Sequence, residues 1–237
     1  MPLDIKEIKT IIFDLDDTLF DTYSQLFKPA FTEATSAMIQ AGLNATSILD
    51  CFNAKFEFLK LNQRQNVFKA LVEKFGVSLN SSSLEVEEVG SQIFYNRHIT
   101  ETLYLFPDAE SLLNLLVGAG YNLFLVTMGT PSTQQAKVDQ LALLKYFKKI
   151  FYVDVRTTAT KKPAHQEIQK LAGGDPSTFV SIGNRIDVEL RDAKELGMQT
   201  ILVEHGEYVG FTPQIPQEVP DTIIFKVGEL KNIFGVS

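Results

Sequence analysis

The sequence predicts an α/β fold, a doubly wound parallel sheet with an α-helical segment inserted after its first strand. Two observations predict the sheet. From about residue 100 onward, short apolar runs alternate with amphipathic helical stretches, which implies parallel strands covered on both faces. Polar groups of complementary type follow four of the apolar runs, where open parallel sheets bind their ligands. A third observation predicts the insertion: from about residue 21 to 99 apolar residues recur at helical spacing. The expected division is 1–20 with 100–237 as an α/β core, and 21–99 as a helical domain.

The elements follow in order. Ile11, Ile12 and Phe13 form a short apolar run that suits a buried parallel strand. Leu26, Ala30, Phe31, Ala34, Ala37 and Met38 mark a helix that stops near Gly42. "SILDCFNAKFEFLKL" and "RQNVFKALVEKFG" continue the helical pattern, and "SSSLEVEEVGSQIFYNRHI" opens on a serine cap signal. After Thr100, "DAESLLNLLVGAG" reads as a helix and "YNLFLVT" as a strand. "PSTQQAKVDQLALL" is a helix opened by Pro131, a favoured first-turn residue. "KIFYVDV" is a strand, "AHQEIQKLAGG" a helix, "TFVSIG" a strand, "DVELRDAKELG" a helix and "QTILV" a strand. "DTIIF" and "VGELKNIF" close the chain as strand and helix.

Composition narrows the function. The chain has 237 residues, 45% of them hydrophobic, enough for a normal folded core. A formal charge of −7 argues against nucleic acid as partner, since that affinity comes from neutralising phosphates with Lys and Arg. It leaves room for a small anionic substrate held by one local cation. The single cysteine, Cys51, allows no intrachain disulfide, and a reducing cytoplasm is the expected location. The start, "MPLDIKEIKT", has no long apolar stretch, and no apolar run reaches membrane-spanning length, so neither a signal peptide nor a membrane partner is expected. A monomer or homodimer is expected.

The strand ends carry the chemistry. Asp14, Asp16, Asp17 and Thr18 follow the first strand, and Thr127, Met128 and Gly129 end the second. Lys161 and Lys162 stand before Pro163, and Asn184, Arg185 and Asp187 follow "TFVSIG". Carboxylates this close repel unless a cation sits among them or one is protonated. With oxygen donors and no Cys or His cluster, Mg²⁺ is the expected cation. A carboxylate can attack phosphorus, and a second carboxyl can move the leaving-group and water protons. Lysine would neutralise phosphoryl charge.

"DLDDT" matches the DxDxT motif of the haloacid dehalogenase-like superfamily, and the chain resembles its phosphatase branch over nearly its whole length. The order of strand ends is the family order: Asp cluster, Thr, Lys-Pro, then an acidic Gly-led loop. "FPDAESLLNLL", "GYNLFLVT" and "ELGMQTILV" also look like family core segments. The resemblance implies a Rossmann-like core with a helical cap that selects the substrate. It implies Asp14 as nucleophile and metal ligand, and Asp16 as general acid/base with its carbonyl on the metal. Thr18 would brace the loop, and Thr127 with the Met128 backbone would bind phosphate. Lys162, directly before Pro163, is taken as the catalytic lysine, with Lys161 as the competing choice. Asn184 stands where the family has Asp; Asn184 and Asp187 are taken as further metal ligands, with Glu189 as second choice. Arg64, Arg97, His98, Tyr23 and Phe27 of the insertion each read first as surface or packing residues; as substrate contacts Tyr23 and Phe27 are preferred, because they lie just after the Asp14–Asp16 loop. The implied activity is Mg²⁺-dependent hydrolysis of a small phosphorylated metabolite through an aspartyl-phosphate.

Each residue also has a plainer reading. Without the resemblance, Asp14 and Asp16 read equally as turn acids, Thr127 as a strand-end hydroxyl bonded locally, one lysine as a surface cation, and Asp187 as a helix cap. Two rivals remain at this level. One is a phosphomutase or a phosphonate-cleaving relative, the latter with a lysine from the insertion (Lys28, Lys55 or Lys60). The other is a weakly active or non-catalytic phosphate binder, for which Asn184 is the motive.

Overall fold

The computed structural model describes residues 5–60, 66–96 and 99–237. Arg64, Arg97 and His98 lie outside the described residues, as does the side chain of Lys60. The chain divides into two compact units, residues 1–22 with 102–237, and Tyr23–Glu101.

The first unit is built on six parallel strands in the order β3-β2-β1-β4-β5-β6. These are β1 (Thr10–Phe13), β2 (Asn122–Gly129), β3 (Lys149–Asp154), β4 (Phe179–Gly183), β5 (Gln199–Val203) and β6 (Thr222–Ile224). β1 is central: Phe13 pairs in register with Leu125 of β2 on one side and Ile182 of β4 on the other. The chain runs outward to β3, then returns to β4 beside β1. That reversal makes the crevice at the carboxyl ends of β1, β2 and β4 the natural ligand site. Every residue of β1 and β4 is buried, as strands covered on both faces require.

Helices α5 (Ala109–Gly118), α6 (Pro131–Gln140), α7 (Lys162–Ala172), α8 (Arg191–Lys194) and α9 (Leu230–Phe234) flank the sheet. α6 ends at Gln140, short of the apolar "LALL" expected to continue it; Ala142 has φ +52°, a left-handed conformation that breaks a helix. "DVELRDAKELG" divides into a π-turn over Ile186–Leu190 and the short α8.

The second unit is helical: α1 (Lys28–Gln40), α2 (Ile48–Lys60), α3 (Val67–Phe75) and α4 (Ser83–Tyr95). Caps fall where sequence places them. Asn66 caps α3 by accepting from the Phe68 N–H, and Ser82 caps α4 by accepting from Glu85. Its core is aromatic, with Phe31 packed edge-on against Phe52 at 4.8 Å and Phe68 against Phe94 at 5.5 Å. Gly90 lets α4 approach α1, since an added Cβ would fall 2.8 Å from Phe68 Cδ1 and closer still to Met38. No helix among the described residues is long and apolar enough to cross a membrane.

One buried group makes stability pH-dependent. His165, on α7, is fully buried, and burial with the Lys161 charge beside it pushes its imidazole down to about 3. Unfolded, the ring titrates at about 6.5. Between those values the unfolded chain binds a proton that the fold excludes. Stability therefore falls as pH drops below about 6.5, by about 2 kcal/mol at pH 5 from this residue. His165→Met should flatten that part of a urea-denaturation profile between pH 7.5 and 5. Parallel losses in variant and parent would contradict it.

Candidate active site

The loop after β1 is pinned from below. Leu15, Leu19 and Phe20 are fully buried, and the Leu19 N–H donates to the Leu15 carbonyl at 3.0 Å. Asp17 takes a left-handed φ of +54° in the turn. The Asp14 N–H donates to the Ile182 carbonyl of β4 at 2.9 Å, so the first carboxylate is an extension of the sheet. Burial of Leu15 between Asp14 and Asp16 leaves the two acids on the face away from the core.

Asp14 is paired with Lys161, both buried. The same ammonium lies 3.3 Å from Glu189 Oε2, also buried. Burial raises the Asp14 carboxyl, Lys161 opposes that, and Glu189 and Asp16 add to it; the net position is about 7. Burial pulls the Lys161 ammonium down, but Asp14 and Glu189 outweigh it and hold it above its ordinary range.

The structure places the two candidate lysines, Lys162 and its competitor Lys161, in different surroundings. Lys162 pairs with Glu195 at 2.8 Å on the surface, and Lys161 occupies the cluster. Lys161 is the cap residue of α7 and Lys162 its first helical residue, so the two side chains diverge by about 100°. Adjacency to Pro163 fixed the region but not which lysine turns inward. Lys161 is held by Asp192, whose Oδ2 accepts from the Lys161 N–H at 2.7 Å and from Thr160 Oγ1 at 2.6 Å. Asp192 is buried, and nothing in the motif pattern pointed to it.

The two candidate acids beyond Asn184, Asp187 and Glu189, also part company. Asp187 forms a two-pronged pair with Arg185, at 3.1 Å from Nε and 2.9 Å from Nη2. Glu189 turns back instead: its Oε1 accepts from the Arg185 N–H at 2.8 Å, and its Oε2 faces Lys161. Residues two apart on a helical turn already point to opposite sides, and both acids lie in a π-turn closed from the Leu190 N–H to the Arg185 carbonyl at 3.4 Å. Gly183 makes room, because a Cβ there would fall 2.7 Å from Glu189 Cγ. Asn184 is buried and lines a small cavity with Arg185, Asp187, His205 and Tyr208.

Asp16 has a separate set of partners. Lys137 Nζ donates to its Oδ1 at 2.6 Å, Thr22 Oγ1 to the same oxygen at 2.7 Å, and Gln134 Nε2 to its Oδ2 at 2.7 Å. Burial pushes the Asp16 carboxyl up, but the Lys137 charge and these hydrogen bonds prevail and hold it below its usual value. Gln134 Nε2 also contacts Thr127 Oγ1, which is fully buried. Met128 follows at the half-buried end of β2. Gln134 and Lys137 did not stand out in the sequence. The available signal was their spacing of three, which puts two polar residues on the α6 face that also carries buried Val138.

Two expected residues remain. Thr18 is buried, and its Oγ1 has no hydrogen-bond partner among the described residues, where a loop-bracing hydroxyl was expected. Tyr23 belongs to the helical unit, where its ring stacks on Phe27 at 5.7 Å.

The comparisons agree with this architecture. The chain belongs to the haloacid dehalogenase-like hydrolase family, whose model matches residues 8–203. A glyceraldehyde 3-phosphate phosphatase from Methanopyrus kandleri is 28% identical over 95% of this chain and 97% of that one. A glyceraldehyde 3-phosphate phosphatase from Pyrococcus furiosus is 29% identical over 97% of this chain and 94% of that one. The fold matches the HAD-hydrolase YfnB from Bacillus subtilis, solved bound to magnesium, with a TM-score of 0.63 at 19% identity over 96% of this chain and 98% of that one.

Asp192 gives the site its first test. Asp192→Ala leaves the Lys161 N–H and the Thr160 hydroxyl without their acceptor in a buried position. It should cost about 1–3 kcal/mol of stability in urea denaturation. Asp192→Asn keeps an acceptor oxygen and should cost less.

Proposed function

We propose that this hydrolase is a Mg²⁺-dependent phosphatase that cleaves a small phosphorylated metabolite through phosphorylated Asp14. The observation that carries the reading is the Lys161 ammonium shared by Asp14 and Glu189 at the carboxyl ends of the central strands. Two carboxylates and one ammonium leave excess negative charge in a buried site; burial raises the Asp14 carboxyl most, and Glu189 and Asp16 add to it. That donor set, oxygen only, fits a hard divalent cation. Asp14, the Asp16 carbonyl, Asn184 and Glu189 would hold it, with Asp187 engaged by Arg185. Glu189 supplies the acid whose absence at Asn184 motivated a non-catalytic reading. Once bound, Mg²⁺ would neutralise phosphoryl charge and favour the ionised form of Asp14.

The residues then divide the work. The Asp14 carboxylate attacks phosphorus as the ester P–O bond breaks. A phosphate monoanion brings a proton, since its second ionisation lies near about pH 6. Asp16 passes that proton to the leaving oxygen, which departs as an alcohol. Asp16, held ionised by Lys137, then takes a proton from water as water attacks phosphorus and the Asp14–P bond breaks. Lys161 offsets charge on Asp14 and the phosphoryl oxygens, and the Thr127 hydroxyl binds one of those oxygens. The relatives' names make glyceraldehyde 3-phosphate the first substrate to try.

The test is turnover of p-nitrophenyl phosphate and glyceraldehyde 3-phosphate with Mg²⁺ and after its removal by EDTA. Activity should require the metal. Asp14→Asn and Lys161→Met should each lose at least about 10³-fold in kcat. Lys162→Met, a surface change, should stay within about 3-fold. Full activity in Asp14→Asn would exclude the phosphoenzyme, and no turnover of any phosphate ester would exclude the reading.

A further inference from the structure

Gln134 is buried on the first turns of α6, and its side-chain amide faces two groups at once. Nε2 donates to Asp16 Oδ2 at 2.7 Å and also contacts Thr127 Oγ1. The amide orientation is fixed chemically. A carboxylate only accepts, so the end that meets Asp16 must be the NH₂ group. That group has two hydrogens, one for each neighbour. The side chain is seated for this arrangement: it packs over Gly129, where an added Cβ would lie 2.9 Å from Gln134 Cδ. The second carboxylate oxygen, Asp16 Oδ1, is already taken by Lys137 and Thr22, which leaves Oδ2 to the amide.

The consequence falls on Thr127. A hydroxyl carries one hydrogen and can accept as well. With an amide hydrogen directed at its oxygen, Thr127 is the acceptor in that contact. Its own hydrogen must point elsewhere, and among the described residues Thr127 Oγ1 is seen accepting from Gln134 and not donating. We propose that Gln134 is a positioning residue that sets hydrogen-bond polarity, obliging the Thr127 hydroxyl to donate to a phosphoryl oxygen of the substrate or product. Gln134 does not touch phosphate in this arrangement; it acts through Thr127. The inference rests on the reading of Thr127 as a phosphate-binding group.

A double-mutant cycle tests it, read as competitive inhibition by inorganic phosphate in the Mg²⁺-loaded protein. Thr127→Val removes the donor and should raise the inhibition constant about 10-fold or more, the scale of a hydrogen bond to a charged group. Gln134→Met, close in size, frees the hydroxyl to turn and should raise it about 3- to 10-fold. The double variant should be within about 2-fold of Thr127→Val alone, because Gln134 has nothing left to orient. Gln134→Leu serves the same cycle should Gln134→Met fail to fold. A purely structural role would make the two effects multiply. Multiplying effects, or a Gln134→Met constant equal to that of the parent, overturn the inference while leaving the phosphatase reading intact. An unchanged constant in Thr127→Val removes Thr127 from the phosphate site, and the inference with it. A parent with no turnover removes both.

Discussion

Three segments meet on one ammonium. Lys161 is buried between Asp14 and Glu189, and burying charges is costly unless the geometry of the pair is good and the remaining hydrogen-bonding groups are met. That cost explains features far apart in sequence. The Asp14 backbone is bonded into β4, so the carboxylate cannot drift. The Lys161 backbone is held by Asp192. Glu189 is turned back over Gly183 and tied to the Arg185 N–H. Each contact fixes one corner of the same charge cluster, and the strand order that places β1 between β2 and β4 brings the corners together.

Beside this cluster lies a second carboxylate with opposite behaviour. Asp14 and Asp16 are two residues apart, yet one is pushed up in pH and the other down. Buried Leu15 keeps them on one side of the chain, and their neighbours separate them electrically. Asp14 shares its lysine with another acid, whereas Asp16 has Lys137 to itself with two further donors. Pairs of acids pushed apart in this way are suited to different tasks in one reaction.

The sheet and the helical insertion were legible because they rest on hydrophobic period and on punctuation by Gly, Pro and Ser, which are local signals. The Asp14–Asp16 loop and Thr127 were legible because strand ends in a parallel sheet converge. Side-chain direction was less accessible. Lys161 and Lys162 have the same chemistry and adjacent positions, and only the start of α7 decides which turns inward. Asp187 and Glu189 are two residues apart and point to opposite sides of one turn, and hydrophobic period does not say which of them faces Lys161. Gln134, Lys137 and Asp192 lie in segments that the sequence marks as helical, but as ordinary polar positions. Their importance comes from partners 118, 121 and 31 residues away.

The stem at which the helical segment leaves the first unit has a bearing on how such chains diversify. Phe20 bridges to Leu105, and the Phe106 N–H donates to the Leu19 carbonyl at 2.9 Å, so the outgoing and returning strands are stapled to each other inside the sheet-bearing unit. The segment 23–101 is topologically a loop closed at a fixed neck. Closure entropy grows only with the logarithm of loop length, about 0.6 kcal/mol for each doubling. Insertions, deletions or wholesale replacement beyond the neck therefore place little thermodynamic load on the carboxylates a few residues before it. The architecture leaves the chain beyond the neck free to change length at little thermodynamic cost to the charge cluster.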